Sequence, residues 1–441
     1  MAAGQGLRVA VIGGGWAGIA AAVQATQRGH RVKLFEMAAH LGGRAQSHPV
    51  MQSHLRAGNP HLTRDDNGQH ILIGAYSATL ALMQTLGLDL RQVLRREPLA
   101  LVYPDGTGLR LPPGPVILAL LRGVLTWHGV TWTDKVSLLG TAAGWAAKRF
   151  ECASALTVAE LTRGCSPAVQ RDLIEPLCVA ALNTPADQAS AQVFLRVLHD
   201  ALLGPRGASD LLLPRAPLDD LLPGPAALWL RQAGAVLALQ HRVIAVTPSD
   251  AATELAGFRV DGEIFDRVVL ATTATEAARL AKPWSADWAR EASALRYEPI
   301  VTVYLHAAGV RWPMPMLALR TGADAPAQFG FDLGALGRPA CTFAFVISGA
   351  RRWVDRGLAV TAEAVAEQLR TAFPADRWPR ETALLNVRAE KRATFACAPA
   401  IARPPPKVAP GLVAAGDYIR GPYPATLEGA VRSGIDAALA L

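Results

Sequence analysis

Apolar residues along the chain cluster in short runs that end at glycine turns, with longer stretches of helical spacing between them. The run Leu7 to Ile12 has the length of a buried strand and enters Gly13-Gly14-Gly15 at once; the alanine-rich stretch Ile19 to Gln27 beyond it is helical in pattern. His30 to Phe35 predicts a neighbouring strand that ends at Glu36. Far along the chain, Ala226 to Gly234 predicts a helix, and Ala235 to Leu239 and His241 to Val246 alternate like strands. Phe258 to Ile264 predicts a hairpin turning at Asp261-Gly262, and Arg267 to Thr272 closes this set. Gly411 to Ala415 predicts one more buried strand, and a final helix opens at Ala425.

The intervening segments read differently. Residues 98 to 111 predict a hairpin around Asp105-Gly106, with Pro299 to Leu305 and Pro339 to Ser348 as strands of the same sheet, while 115 to 203 carry helical patterns rich in Leu, Ala, Val and Trp. Pro404-Pro405-Pro406 reads as a stiff connector. The greasiest run, Gly114 to Val130, is broken by Arg122 and His128 and is too short of uninterrupted apolar residues to cross a bilayer. Pro115 to Arg122 fits a helix lying in a membrane surface with its arginine reaching back to water.

Composition sharpens this picture in two respects. The 441 residues are 51% hydrophobic and only 18% charged, which excludes disorder and points to something greasy that is buried or bound. Either a lipid-lined tunnel or ordinary helix packing accounts for the apolar faces of 115 to 203. The net charge of +8 comes from scattered basic residues without zinc-finger spacing or an aromatic RNA-binding signature, so no nucleic-acid partner is expected; its sign suits anionic lipid. Five cysteines, at 152, 165, 178, 341 and 397, form no CxxC, so neither a disulfide framework nor a metal site is expected, and a reducing cytoplasm fits. The first residues lack the features of a secretory signal.

The chemistry begins at Gly13, Gly15 and Gly18. In a strand-turn-helix setting, GxGxxG marks a dinucleotide site: Gly13 permits the tight turn, Gly15 lets the backbone approach a pyrophosphate, and Gly18 lets helix and strand pack closely. Glu36, at the end of the next strand, is placed to bind a ribose. Leu41-Gly42-Gly43-Arg44 resembles the second glycine motif of the flavin-containing amine oxidase and phytoene desaturase superfamily, in which the arginine lies beside the FAD pyrophosphate; a plain surface loop is the alternative. Gly416-Asp417 and the helix opening Ala425-Thr426-Leu427 resemble that superfamily's C-terminal FAD contacts, and a valine near Val243 its adenine contact. The resemblance implies an α/β fold: a Rossmann-like FAD-binding domain of glutathione-reductase type, assembled from 1–75, 225–285 and 400–441. An α+β substrate-binding domain, 76–224 and 286–399, is interleaved with it.

The string Asp66-Asn67-Gly68-Gln69-His70, taken with LGGR and the C-terminal ending, resembles the squalene-associated FAD-dependent desaturase group, the hydroxysqualene dehydroxylases of bacterial hopanoid biosynthesis. The resemblance implies a C30 isoprenoid substrate, hydroxysqualene, reduced to squalene with loss of water. An allylic hydroxyl leaves only when protonated, so an acid is required near the flavin. His70 and Asp66 are the candidates, with Gln69 orienting the hydroxyl or the flavin and Tyr423 and Glu428 as weaker alternatives. Against them stands a purely structural reading, in which Asp66-Asn67-Gly68 is a turn and His70 a satisfied hydrogen-bonding residue. A single glycine fingerprint implies a transient electron donor such as NAD(P)H or a reductase, and the greasy substrate implies peripheral association with the inner face of the cell membrane. The competing readings are a phytoene- or carotenoid-type polyprenyl desaturase, an amine oxidase, and a non-catalytic FAD-containing lipid carrier.

Overall fold

In a computed structural model of the chain, residues 6–51, 62–249 and 257–441 are described, so Met1 to Gln5 lie outside them. The architecture is α/β. A six-stranded sheet runs in the order Val236–Ala238, Arg31–Phe35, Arg8–Ile12, Arg267–Leu270, Leu412–Ala414 and Lys407–Ala409, parallel except at its last pair. Its centre is covered on both faces, which is why Val9, Ala10 and Val11 are all fully buried and the strand reads as a continuous apolar run rather than an alternating one.

The first helix begins at Trp16, three residues earlier than the pattern suggests, because Gly15 is its N-cap; it runs to Gln27. Its small-residue face meets the last helix, Leu427–Leu439. The contact is close: a methyl group built on Gly434 would strike the Ala17 carbonyl, with the Ala20 methyl 3.0 Å away. Gly18 has the same role against the strand, since any side chain there would meet the Gly13 carbonyl.

The Asp261-Gly262 turn is present, with φ of 44° and 93°, joining Phe258–Val260 to Glu263–Phe265. Its neighbour departs from expectation. His241 to Ala245 is irregular, and only Val246–Pro248 pairs as a strand, in a small three-stranded sheet. The alternating side chains suggest a ladder, but the Asp261 carboxylate accepts from Ile244 N at 3.0 Å and Ala245 N at 3.0 Å and so takes the place of a partner strand.

The second large sheet is antiparallel, in the order Met316–Ala318, Phe329–Asp332, Thr342–Ile347, Tyr297–His306 and Ala383–Phe395. The hairpin Ala100–Val102 and Gly108–Arg110 forms a separate two-stranded sheet, with an isolated bridge from Gly108 to His128, so it is not part of this sheet as the pattern implies. Leu72–Ile73, Leu211–Pro214 and Leu94–Glu97 make a further three-stranded sheet beside it. Helices occupy much of 116–203. Among them Val116–Leu125 and Trp132–Ala147 leave Ile117, Leu118, Leu121, Leu125, Trp132 and Val136 exposed. Among the described residues no helix is long and apolar enough to cross a membrane.

Candidate functional site

One cavity of about 430 Å³ runs along the carboxyl ends of the parallel strands and on beneath the antiparallel sheet. Its first part is a backbone groove. Gly13 has φ of 109°, and a Cβ there would lie 2.5 Å from the Ala271 carbonyl oxygen, so only glycine makes this turn. Gly15 and Gly43 face each other: a Cβ on Gly43 would stand 3.1 Å from the Gly15 Cα, and one on Gly15 would stand 4.0 Å from the Gly43 Cα. Gly15 and Gly42 form an isolated parallel bridge, with Gly42 N donating to Gly14 O at 2.9 Å. The helix that starts at Trp16 has neither a side-chain cap nor an acidic residue in its first turn, so its free N–H groups and positive end are aimed into this groove. These features fit a dinucleotide pyrophosphate.

The polar groups around the groove match that ligand. Glu36 accepts from Gly14 N at 2.7 Å and Ala38 N at 2.8 Å, which fixes its carboxylate and leaves acceptor capacity for ribose hydroxyls. The Arg44 guanidinium pairs with Asp417 at 2.5 Å and donates to the Ala393 carbonyl at 2.9 Å. Burial alone would lower its pKa, but the Asp417 carboxylate outweighs burial and raises it, so Arg44 is a permanent cation at the groove. Val243 lines the cavity, its carbonyl held by Arg279 at 2.7 Å. Gly416, Thr426 and Leu427 line the opposite wall. Thr426 caps the last helix through Oγ1, 3.0 Å from Gly429 N.

Beyond the groove lie the residues of the DNGQH string. Gln69 and His70 line the cavity, with Ile71, Ile300, Phe329, Phe331 and Val346 as its apolar wall. His70 is half-buried, and its Nδ1 donates to the Gly68 carbonyl at 2.7 Å, which leaves Nε2 as the nitrogen available to a ligand. Burial pushes its pKa below the ordinary imidazole value; the Gly68 carbonyl and Asp66 oppose this and Arg44 adds to it.

Asp66 does not share the cavity. It is 1% exposed, and its carboxylate accepts from Ser47 Oγ at 2.6 Å, Leu218 N at 2.9 Å and Arg338 at 3.2 Å. A carboxylate so placed ties three segments together and has no path to a substrate, which corrects its expected role as the acid. Glu428 is likewise 1% exposed: it caps the helix Ser77–Thr85, accepting from Ala78 N at 3.0 Å and Thr79 N at 2.9 Å, and it pairs with Arg432. Tyr423 is outside the cavity lining and lies under Arg196 and Arg432.

The sequence did not single out Asn183 or Glu390, and gave no role to Tyr76 at the end of the DNGQH string's extension; all three line the cavity. Asn183 terminates the helix Glu175–Leu182 in the left-handed conformation, φ 49°, a position where asparagine after an apolar helix is a readable signal. Its amide joins the Glu298 carbonyl, Thr394 Oγ1 and Gly349 N, at 3.2, 2.9 and 2.7 Å. Arg403 also went unread. Buried just before the Pro404-Pro405-Pro406 connector, it donates to the carbonyls of Asp417, Ile419, Gly421 and Tyr423, among others, and so shapes the loop that carries Asp417. The five cysteines are free thiols.

Known proteins resemble the chain, some over nearly its whole length. The flavin containing amine oxidoreductase family matches residues 16–441. The hydroxysqualene dehydroxylase of Rhodopseudomonas palustris is 27% identical over 98% of this chain and 97% of its own. A probable zeta-carotene desaturase of Synechococcus elongatus is 24% identical over 59% of this chain and 56% of its own. Among solved structures, an oxidoreductase from Methanosarcina mazei shares the fold with a TM-score of 0.74, at 14% identity, over 98% of this chain and all of its own.

Proposed function

The chain belongs to the flavin containing amine oxidoreductase family, and on that premise we propose that this FAD-dependent oxidoreductase reductively removes the hydroxyl of hydroxysqualene to give squalene. The overall change adds two electrons and two protons to the alcohol and releases squalene and water. The observation that carries this reading is one cavity in which a titratable imidazole, His70, stands between a dinucleotide groove and an apolar wall. The similarity to hydroxysqualene dehydroxylases across 98% of the chain supports it.

FAD, when bound and reduced, supplies the electrons as a hydride. The chain supplies the remainder. Gly13, Gly15, Gly43, Arg44 and the start of the first helix would hold the pyrophosphate, Glu36 the ribose, Val243 the adenine, and Gly416, Asp417, Thr426 and Leu427 the flavin half; Gly18 keeps helix and strand in contact. His70, protonated at Nε2, donates to the departing hydroxyl, while Gln69 orients that hydroxyl. The walls at Ile71, Phe329 and Phe331 exclude water from the allylic cation that forms as the C–O bond breaks. We assign 1–75, 225–285 and 400–441 to the cofactor unit and 76–224 and 286–399 to the substrate unit. A transient donor, NAD(P)H or a reductase, fits the single glycine fingerprint. The exposed apolar face at Ile117, Leu118 and Leu121 favours work at the inner face of the cell membrane.

Anaerobic incubation of the reduced holoenzyme with hydroxysqualene, followed by product analysis, tests the reading: squalene and reoxidised flavin are expected. The similarity to a zeta-carotene desaturase favours a second reading, removal of hydride from a polyprenyl chain. A desaturated product from phytoene with the oxidised enzyme, and no squalene in the first assay, would establish that reading instead.

A further inference from the structure

A second cavity, of about 600 Å³, lies beneath the helix Val116–Leu125, between the hairpin 100–110 and the strand Leu211–Pro214. Met316, Leu211 and Leu213 form its inner wall, and Arg110, Arg122 and Met314 stand at its rim. Met316 is opposite Phe331 in the antiparallel ladder, and Phe329 is opposite Val346. Directly opposed residues project from the same face of a sheet. Met316 of the second cavity and Phe331 of the flavin-side cavity are therefore side by side, and both belong to one continuous apolar cluster with Leu211 and Leu213. The sheet floor thus continues from Glu390 and Ile300 through Val346 and Phe331 to Met316, five strands wide. At roughly 4.8 Å per strand it is about 19 Å across, the scale of an extended hydrocarbon rather than of a compact small molecule.

We infer that the second cavity is a bay for the distal half of a long apolar chain whose reacting end lies beside His70, with the paired side chains of Met316 and Phe331 as the threshold between the two spaces. The inference rests on the proposed hydrocarbon substrate but concerns binding, not chemistry. Methionine suits such a threshold, because its unbranched side chain repacks around a passing chain more readily than a β-branched one. Arg110 and Arg122 stand at the rim, the Glu97 carboxylate of the lining is paired with Arg95 at 2.6 Å, and the inner wall is apolar, so an uncharged hydrocarbon tail is accepted.

The test is equilibrium binding of two unreactive saturated probes, squalane and its C15 half-length counterpart, to the oxidised holoenzyme. The wild type should bind squalane at least tenfold more tightly than the shorter probe. Leu213→Trp, which fills the bay, should abolish that preference while leaving affinity for the C15 probe and the flavin spectrum unchanged. Should Leu213→Trp fail to retain flavin, Met314→Trp at the half-buried rim serves in its place, with the same expectation. Equal affinity of the wild type for both probes, or a squalane preference that survives the tryptophan in a flavin-loaded variant, overturns the inference. Failure of turnover with hydroxysqualene would refute the proposed reaction while leaving this binding difference in place.

Discussion

Replacing Gly434 with alanine is expected to weaken FAD binding from a position that does not line the cavity. The added methyl would meet the Ala17 carbonyl in the first turn of the helix that begins at Trp16. The last helix must then retreat, and the amino ends of both helices border the cofactor groove. Overpacking at such a contact costs about 1–3 kcal/mol. If the cofactor-free protein relaxes by parting the helices and the bound form requires them together, this cost is met on binding, and the FAD Kd rises about 5- to 150-fold. Thermal unfolding is the weaker assay: at about 2.1 cal/mol/K of unfolding entropy per residue, a 441-residue chain shifts by only about 1 °C per kcal/mol. Titration of the flavin-free protein with FAD is therefore the measurement to make. Gly140→Ala is the control, since Gly140 sits in the exposed helix Trp132–Ala147 with nothing within 4 Å of an added methyl. It should leave the Kd unchanged and stabilise the protein by about 0.5–1 kcal/mol. A wild-type Kd for Gly434→Ala would refute the coupling between helix contact and cofactor.

His70 makes the reaction dependent on pH. Its pKa is held below 6.5, so above that point the protonated fraction falls about tenfold per pH unit; kcat/KM should rise as pH falls from 8 to 6.5, and His70→Gln should remove the slope. A flat profile in the wild type would exclude His70 as the proton donor. Asp66→Asn leaves the buried Arg338 without its counter-charge and should destabilise the fold by about 3 kcal/mol while keeping turnover per flavin-loaded molecule within about threefold. The opposite outcome, normal stability with turnover lost, would return Asp66 to the chemistry. Exchange of Ile117 and Leu121 for glutamate should abolish co-sedimentation with anionic liposomes without altering FAD content, and unchanged liposome binding would rule out this helix as the membrane contact.

The elements that announced themselves in the sequence are those whose physics is local. Gly13 and the Asp261-Gly262 turn need backbone angles that few other residues adopt, and the buried strand Arg8–Ile12 needs apolar side chains on both faces. The groove between Gly13, Gly15 and Gly43 was legible for the same reason: two glycine segments and a helix start are short-range features. What remained unread depends on partners distant in sequence. Asp66 looks like an acid until Leu218 and Arg338 arrive to saturate it, and His241 to Ala245 looks like a strand until Asp261 takes up its amides. Arg403 carries no pattern at all; its role exists only because the carbonyls of 417–423 converge on it.

The ion pair between Arg44 and Asp417 joins residues 373 positions apart. At a synthesis rate of about 5–20 residues per second, the glycine groove emerges from the ribosome roughly 20–75 s before the aspartate that completes it. The pair at the groove therefore forms late in the life of the chain. For the first part of that interval the strand Arg8–Ile12 lacks its neighbour Arg267–Leu270, and that neighbour in turn waits for Leu412–Ala414 until the interval is almost over. A chain stalled anywhere before Asp417 lacks the carboxylate that pairs with Arg44 at the groove. The C-terminal residues set the moment at which the flavoprotein comes into being.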